Sequence, residues 1–471
     1  MEGETYGLAR VLSDAVQHDF STSLKGEVPA AARRPLWHLA GVWTTLAANF
    51  SFLFLGVALY SAGYSLEAAI GVTVLGCSLY IAYALPASYL GSRTGQTHAL
   101  LTRSIFGGLG SCVVSVLLIV APIGWVGINA GLLAQTWDSL FAWNRSELMT
   151  VSLGAVMVVS SLLGFVGISA FARYLVAPLM ILWAAYFVAR ALFLDLGSLQ
   201  PQSPIAGLPF WAAVGTVIGF ATWGNEPDIW RYGKPRFLWP LPAFIFAYLW
   251  FGVFVMGGWI MACLSRSAEF GVQVRFATDY SLFGAGWLTW FFATIGLFAL
   301  NGGNYYESIN AVQNLLGGWT RWKRPLTCLL LAPCGAGAAY LVNFVLPEGW
   351  PAVAGLLAIT VPSATIIMAV DQFLLPRLVG AMRPVSPIPA WREVGVANWP
   401  GLIALATAVT YGVYAGALLP STAAADSYWG PVPVVVWTIA GVVYLLLAAA
   451  VNAIAPSMLS ATMGRKRLPP R

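Results

Sequence analysis

Twelve long apolar stretches limit this chain of 471 residues to a fold that lies within a membrane. A helix that crosses a bilayer needs about 20 mostly apolar residues, and each stretch is about that long. We number them spans 1 to 12; they lie at 39–63, 66–88, 111–137, 147–167, 171–194, 210–232, 237–264, 284–316, 326–346, 351–376, 398–420 and 431–455. Strands of membrane barrels alternate in segments of about ten residues, so these continuous runs predict an all-α polytopic protein with twelve transmembrane helices.

The composition argues against a soluble enzyme. Only 9% of the residues are charged, 59% are hydrophobic, and mean hydropathy is +0.76. The five cysteines show no CxxC spacing and the three histidines are scattered, so we expect neither a metal site nor a cofactor. No paired acids face a candidate nucleophile, and we therefore expect no catalytic activity.

The loops show a strong charge asymmetry. With the N-terminus inside, four of the 24 Lys and Arg residues fall on the outer side, which leaves twenty on the inner side. Inner loops of membrane proteins are rich in Lys and Arg, so both termini are predicted to be cytoplasmic, in a plasma (inner) membrane. The same pattern accounts for the basic charge without a nucleic-acid partner. We interpret the groups at 231–236, 321–324 and 465–467 as topology determinants that face anionic lipid.

No loop is long enough to fold by itself, so one membrane domain is predicted. We divide the chain into a cytoplasmic N-terminal tail (1–36), a core (37–395), accessory spans 11 and 12 (396–456) and a basic cytoplasmic C-terminal tail (457–471). The longest loop, at 376–397, contains four prolines and is expected to be an extended linker.

Spans 1 and 6 carry polar, Gly-rich interruptions, at 47–52 around Asn49 in span 1 and at 215–228 in span 6, where Gly219, Gly224 and Pro227 favour a bend. Irregular backbone survives in a membrane only where it lines a cavity enclosed by protein, and proline cannot donate a helical hydrogen bond. Spans five apart cross in opposite directions, as in two inverted five-helix repeats, here at about 39–194 and 210–376. We expect the two breaks to meet near the midplane around a solute; the alternative is a pair of kinked helices without a ligand.

Spans 3 and 8 carry further polar residues at membrane depth. Trp125 and Asn129 are four residues apart and project from one face of span 3, where an indole and a carboxamide suit a planar, hydrogen-bonding heterocycle. Span 8 contains Asn301 and Asn304, and buried amides need polar partners. The partner is either a neighbouring helix or a solute, and we favour the solute.

These landmarks resemble nucleobase:cation symporter family 1, the family of cytosine, purine, uracil, allantoin and hydantoin permeases. The resemblance covers about 37–392 and rests on four pieces in the same order and at the same depth. They are Arg103-Ser-Ile-Phe-Gly, Gly124-Trp125, the run from Asn225 to Tyr232 (Asn-Glu-Pro-Asp-Ile-Trp-Arg-Tyr), and Asn301-Gly-Gly-Asn-Tyr-Tyr.

The resemblance implies a leucine-transporter type fold of two inverted five-helix repeats plus two accessory helices. It also implies a permease that imports a nucleobase or related planar heterocycle by cation symport with alternating access. Trp125 and Phe220 would stack on the two faces of the substrate ring. The other substrate-binding residues that the resemblance implies are Asn49, Asn129, Gly219, Thr222, Asn301 and Asn304.

One departure from the family pattern concerns the coupling ion. Sodium-coupled members carry two hydroxyl residues just before the asparagine of span 8, and here these positions are Ala299 and Leu300. A hard cation needs several oxygen ligands, so the loss of two weakens a sodium site. Sodium coupling is therefore in doubt, and a proton is the substitute we expect.

Glu226 and Glu307 are the acids that fit proton coupling. Intramembrane acids are rare and tend to mark function, and both lie about 9–10 Å to the cytoplasmic side of the predicted site. We expect one of them to take up and release a proton during transport. An inner gate, or a salt bridge with Arg103 or Arg231, is the alternative.

Two other functions stay open on the sequence alone. An amino-acid or amine symporter of the same fold is one, because fold does not fix substrate, and an uncoupled facilitator is the other. The small-molecule substrate and membrane lipid are the expected partners, and the pattern favours no particular heterocycle or oligomeric state.

Overall fold

The computed structural model describes residues 27–201, 208–316, 324–346, 349–380, 383–417 and 430–454. Within these residues the backbone forms helices and connecting turns, without any strand, which confirms the all-α class. The predicted C-terminal tail (457–471), residues 1–26 of the N-terminal tail, and the basic residues Arg321 and Lys323 lie outside this part of the chain. The division into tails, core and accessory spans stays a prediction.

Seven helices in the described residues are long and apolar enough to cross a membrane. They are Leu66–Thr94, His98–Phe141, Gly164–Ala191, Leu241–Ser265, Arg324–Val345, Val353–Leu378 and Val432–Ile454. Two bent pairs raise the number to nine: Leu36–Ala47 with Ser51–Ser61, bent by 48°, and Phe270–Ser281 with Gly286–Leu315, bent by 109°.

The remaining predicted spans contain shorter helices. Span 4 is the helix Ser146–Val156 followed by a 3-10 turn, span 6 is Phe210–Ala221 with Glu226–Trp230, and span 11 begins with Trp399–Gly412. Every predicted stretch therefore holds a helix. Helix length and composition support seven to nine crossings among the described residues, so the number twelve stays a prediction.

Both predicted breaks are present, and they face each other. In span 1 the backbone leaves the helix at Ala48, which has φ −103° and ψ 89°. In span 6 residues 222–225 separate two helices, and Gly224 has φ +80°, a value that favours glycine. The rings of Phe52 and Trp223, one beside each break, have centroids 6.2 Å apart. The core of the molecule is therefore built around two interrupted helices.

Glycines allow spans 1 and 7 to pack at very short range. A Cβ atom on Gly56 would lie 1.8 Å from the Val255 carbonyl oxygen, and one on Gly258 would lie 1.8 Å from the Leu53 carbonyl oxygen. Small residues are the usual means by which membrane helices approach each other, since lipid leaves little hydrophobic force between them. This contact fixes the second half of span 1, and with it the position of the break.

The proline-rich linker packs against the start of span 3. The helix His98–Phe141 is interrupted at Gly107, which has φ +75° and ψ −175°. The next two residues, Gly108 and Leu109, donate backbone hydrogen bonds to the carbonyls of Gly395 and Val396, at 2.8 and 2.9 Å. The linker is therefore held against the protein by its backbone, and its described part includes a 3-10 turn at Trp391–Glu393, so it is not extended throughout as expected.

A buried ion pair holds the other end of this linker. Arg383 Nε lies 2.9 Å from Asp371 Oδ2, and both side chains are buried. Arg383 also donates to the Ile105 carbonyl at 2.5 Å, and the Tyr444 hydroxyl donates to Asp371. These four residues join span 10, the linker, the segment before span 3 and span 12.

Two arginines that we interpreted as facing lipid headgroups lie inside the protein, and that interpretation is wrong for them. Arg231 and Arg324 are 0% and 1% exposed. Arg231 donates to the Tyr306 hydroxyl at 2.7 Å, and Arg324 lies over the Tyr306 ring, 4.9 Å from its centroid. Their guanidinium groups have hydrogen-bond and ring partners on span 8, which compensate the loss of water. Lys234 and Arg236 remain exposed, as topology determinants should be.

Candidate functional site

Three buried asparagines from spans 3 and 8 form one hydrogen-bonded cluster. Asn301 Oδ1 accepts from Asn129 Nδ2 at 2.9 Å and from Asn304 Nδ2 at 3.0 Å. All three side chains are at most 1% exposed. Asn129 Oδ1 has no hydrogen-bond partner among the described residues. The structure thus brings together the amides that the sequence singled out, and we call them the amide cluster.

Trp125 and Phe220 contact each other in a way that differs from the implied sandwich. Their ring centroids are 5.3 Å apart and their planes meet at 79°, an edge-to-face pair. A planar substrate between two stacking rings would need parallel rings on either side, so the structure contains no open slot between these two. Phe220 lies in the last turn of the helix before the break of span 6, so the pair packs beside this break.

The remaining predicted substrate residues take local or packing contacts. Thr222 donates its hydroxyl to the Ile218 carbonyl at 2.7 Å, inside its own helix. Asn49 accepts from the Ser51 N–H at 3.3 Å and lies against Gly296 of span 8. A Cβ atom on Gly219 would lie 3.5 Å from the carbonyl oxygen of Ala354 in span 10. None of these contacts connects the three residues to the amide cluster.

The Glu226 carboxylate is held by two tyrosines of span 2. Tyr80 donates to Oε1 at 2.6 Å and Tyr83 donates to Oε2 at 3.3 Å, and all three side chains are buried. Glu226 begins the short helix after the break of span 6, where the exposed N–H groups of a helix start favour negative charge. These contacts replace the salt bridge that we considered for this acid.

Glu307 lies across the same break and is buried without a hydrogen-bond partner in the described part of the chain. A Cβ atom on Gly224 would lie 3.1 Å from Glu307 Oε1, so the carboxylate faces the backbone of the break. Arg103, a proposed ionic partner, instead donates to Asn314 Oδ1 at 2.6 Å. Glu226 and Glu307 therefore approach the break of span 6 from different helices.

His98 and Asp228 complete the polar surroundings of this break. His98 Nδ1 lies 2.9 Å from the Gly224 carbonyl oxygen, and the His98 backbone N–H donates to Asp228 at 3.2 Å. Asn310 of span 8 donates to the other oxygen of Asp228 at 2.7 Å. Hydrogen bonds here join His98, which lies between spans 2 and 3, to residues of spans 6 and 8.

Comparisons with known proteins show which proteins this chain is similar to. No family model matches the chain. The cytosine permease of Escherichia coli strain K12 is 29% identical over 235 residues, which are 48% of this chain and 54% of the permease. The chain therefore spans about half the length of the curated relatives it matches. The same values hold for the cytosine permease of Escherichia coli O157:H7.

Two solved structures of Mhp1 cover nearly the whole chain. One is described as a nucleobase-cation-symport-1 family transporter in a closed conformation with bromovinylhydantoin bound. It is 16% identical, has a TM-score of 0.70, and covers 91% of this chain and 95% of Mhp1. Inward-facing Mhp1 is 17% identical and gives a TM-score of 0.61 over 92% and 95%. The chain shares the fold of Mhp1.

The likeness to Mhp1 confirms the predicted leucine-transporter type fold, and the similarity to cytosine permeases agrees with the resemblance seen in the motifs. The protein is an integral multi-pass membrane protein, and its relatives are permeases and transporters rather than enzymes.

The sequence alone did not single out three residues beside the break of span 6: His98, Tyr83 and Thr365. His98 was set aside as a scattered histidine, yet its ring bonds Gly224, 126 residues away. Tyr83 and Thr365 lie 282 residues apart and are within hydrogen-bond distance at 3.3 Å. No local spacing could reveal these contacts, and the polar character of spans 2 and 10 was the single available signal.

Proposed function

We propose that this protein is a secondary active transporter that imports a nucleobase or a related planar heterocycle by proton symport with alternating access. We place it in a plasma (inner) membrane with both termini cytoplasmic, on the charge pattern of its loops. The observation that carries the proposal is the amide cluster: three buried asparagines beside Trp125 and the broken spans of a transporter fold.

The unpaired groups around this cluster suit a heterocycle. Asn129 Oδ1 is an unpaired acceptor and Trp125 Nε1 is an unpaired donor among the described residues. A nucleobase carries donors and acceptors side by side on its edge, and its flat ring offers an apolar face to the Trp125 indole. The names of the relatives, cytosine permease and a transporter with bound bromovinylhydantoin, point to the same class of substrate.

The choice of a proton rests on what spans 6 and 8 contain. Ala299 and Leu300 are buried and carry no side-chain oxygen, whereas Glu226 and Glu307 lie beside the break of span 6. An intramembrane acid that is accessible first from one side of the membrane and then from the other can carry a proton during a transport cycle. We therefore assign coupling to one of these two acids.

Uptake into proteoliposomes tests the function. We expect radiolabelled cytosine, adenine, uracil or allantoin to accumulate against its gradient when the lumen is alkaline, with or without sodium. Accumulation that needs sodium and ignores the pH gradient would contradict proton coupling, and equilibration without accumulation would indicate a facilitator.

Binding to purified protein tests the substrate class. Cytosine, adenine, uracil, allantoin and leucine should be compared in one competition series. We expect one of the heterocycles to bind and leucine to leave binding unchanged. Selective leucine binding would instead identify an amino-acid symporter of the same fold.

A further inference from the structure

A line of hydrogen-bonding side chains connects the Glu226 carboxylate with the His98 imidazole. Tyr83 Oη lies 3.3 Å from Glu226 Oε2 and 3.3 Å from Thr365 Oγ1. Thr365 Oγ1 lies 3.2 Å from His98 Nε2. All four side chains are buried, at most 3% exposed. They come from four parts of the fold: the break of span 6, span 2, span 10 and the helix start before span 3.

We propose that His98 is a second proton-binding site of this transporter, and that Tyr83 and Thr365 relay a proton between it and Glu226. The proposal rests on the proposed proton symport and names residues that carry it out. It extends the acid pair of the sequence prediction to a histidine on a different element.

The neighbours of His98 determine which ring nitrogen donates a hydrogen bond and which accepts one. The Gly224 carbonyl oxygen can only accept, so Nδ1, at 2.9 Å, must carry a hydrogen. In the neutral ring Nε2 is then the acceptor, and it faces the Thr365 hydroxyl. Thr365 can accept in turn from Tyr83, and Tyr83 from protonated Glu226. Each donor therefore has an acceptor next to it along the whole path.

Transfer along this path conserves atoms and charge. The O–H bond of Glu226 breaks, the hydroxyl protons of Tyr83 and Thr365 each move to the next acceptor, and an N–H bond forms at His98 Nε2. The products are a Glu226 carboxylate and a His98 imidazolium, and no electrons are exchanged. Thr365 Oγ1 also lies 3.0 Å from the Val361 carbonyl, so rotation of this hydroxyl opens or closes the path.

Because His98 bonds the backbone of the span 6 break, its protonation state affects the stability of that part of the structure. A positively charged ring bonds the Gly224 carbonyl more strongly than a neutral ring, because charge-assisted hydrogen bonds are roughly twice as strong. The backbone N–H of His98 bonds Asp228 on the helix after the break. Protonation of His98 therefore favours the conformation in which both contacts are made.

Other titratable and charged groups face this relay, and any pH dependence includes them. They are Tyr80 of span 2, Asp228 and Arg231 after the break of span 6, Tyr248 of span 7, and Glu307 of span 8. The test below therefore removes a link that does not itself titrate.

Thr365→Val removes one hydroxyl of the relay at nearly constant volume. Thr360→Val is the matched control, because Thr360 is a buried threonine of the same span whose hydroxyl, among the described residues, bonds just the Leu356 carbonyl in its own helix. The measurement is the ratio of pH-gradient-driven accumulation to counterflow exchange, which needs no net proton movement. We expect this ratio to fall at least about tenfold in Thr365→Val relative to Thr360→Val.

Tyr83→Phe removes the neighbouring link and should lower the same ratio. Equal ratios in Thr365→Val and Thr360→Val, or an equal loss of exchange and accumulation in Thr365→Val, would overturn the relay and leave a packing role for the hydroxyl. A wild-type protein that accumulates substrate without a pH gradient would overturn the proposed symport itself. The two failures are therefore distinguishable.

Discussion

Trp125 is a buried side chain with an unused donor. Its ring is 5% exposed, and its Nε1 has no hydrogen-bond partner among the described residues. An unpaired buried donor costs about 1–3 kcal/mol, so it calls for a reason. Because Phe220 meets the indole edge to face and leaves the N–H unpaired, a substrate acceptor is the reason we infer.

Substitutions of Trp125 separate its ring from its donor. Trp125→Ala should abolish uptake while the protein still inserts into the membrane, because the contact area of the ring is lost. Trp125→Phe should keep uptake and lower substrate affinity by about fivefold, which corresponds to one hydrogen bond of about 1 kcal/mol. Affinity is read from competition binding.

Trp143→Ala is the control for this series, since Trp143 is 50% exposed and lies outside the site. It should transport like the wild type. Unchanged uptake in Trp125→Ala would remove span 3 from the substrate site.

Some site residues could be predicted from sequence and others could not, for a physical reason. The pairing of Asn129 with Asn301 follows from the need of buried amides for partners at equal depth. The angle between Trp125 and Phe220 depends on how spans 3 and 6 are rotated, which no residue spacing encodes. The same holds for His98, whose partners lie on spans 6 and 10.

At the level of elements, the contact between spans 1 and 7 depends on glycine. Gly56 and Gly258 each face a backbone carbonyl at a distance where no Cβ atom fits. The break of span 6 follows a different local signal, a glycine with positive φ followed by a proline in the first helical turn. Such a break can be predicted because glycine and proline lie close together in the sequence. The carbonyl that faces Gly56 or Gly258 cannot be predicted in this way, because it lies on another span.

Gly258→Ala should disrupt this contact. Its Cβ atom would lie 1.8 Å from the Leu53 carbonyl oxygen, so the two spans must move apart, at a cost of about 1–3 kcal/mol or more. We expect a lower midpoint of thermal unfolding in detergent and reduced uptake.

Gly252→Ala is the matched control in the same helix, because nothing lies within 4 Å of its Cβ position. It should match the wild type in both measurements. If both variants have the same thermal midpoint and the same uptake, the close contact between spans 1 and 7 contributes neither to stability nor to transport.

At the scale of the whole molecule, the Asp371–Arg383 pair joins the core to the accessory part. It connects span 10 with the linker and, through Tyr444, with span 12. Charge patterns predicted the side of the membrane for the loops, but not that Arg231, Arg324 and Arg383 would be buried. A positive residue near the end of a span looks the same in sequence whether it meets water or a protein partner.

Arg383→Met should leave the buried Asp371 carboxylate without its positively charged partner and destabilise the protein by about 3–5 kcal/mol. A lower thermal midpoint in detergent measures this loss. The double variant Asp371→Asn with Arg383→Met should recover part of it, since no charge is then left unpaired.

Arg377→Met on the same span serves as the control, because Arg377 is exposed. It should unfold at the wild-type temperature. A single variant Arg383→Met that is as stable as this control would show that the ion pair does not hold the linker.

The shared oxygen of Asn301 has a consequence for how tightly any cargo can be held. This atom already accepts from both neighbouring amides, so a base that donates to it must displace at least one of those bonds. Polar contacts are then exchanged rather than added, and they contribute selectivity with little net attraction. Because the net binding free energy is then small, the substrate can dissociate on the second side of the membrane as readily as it binds on the first.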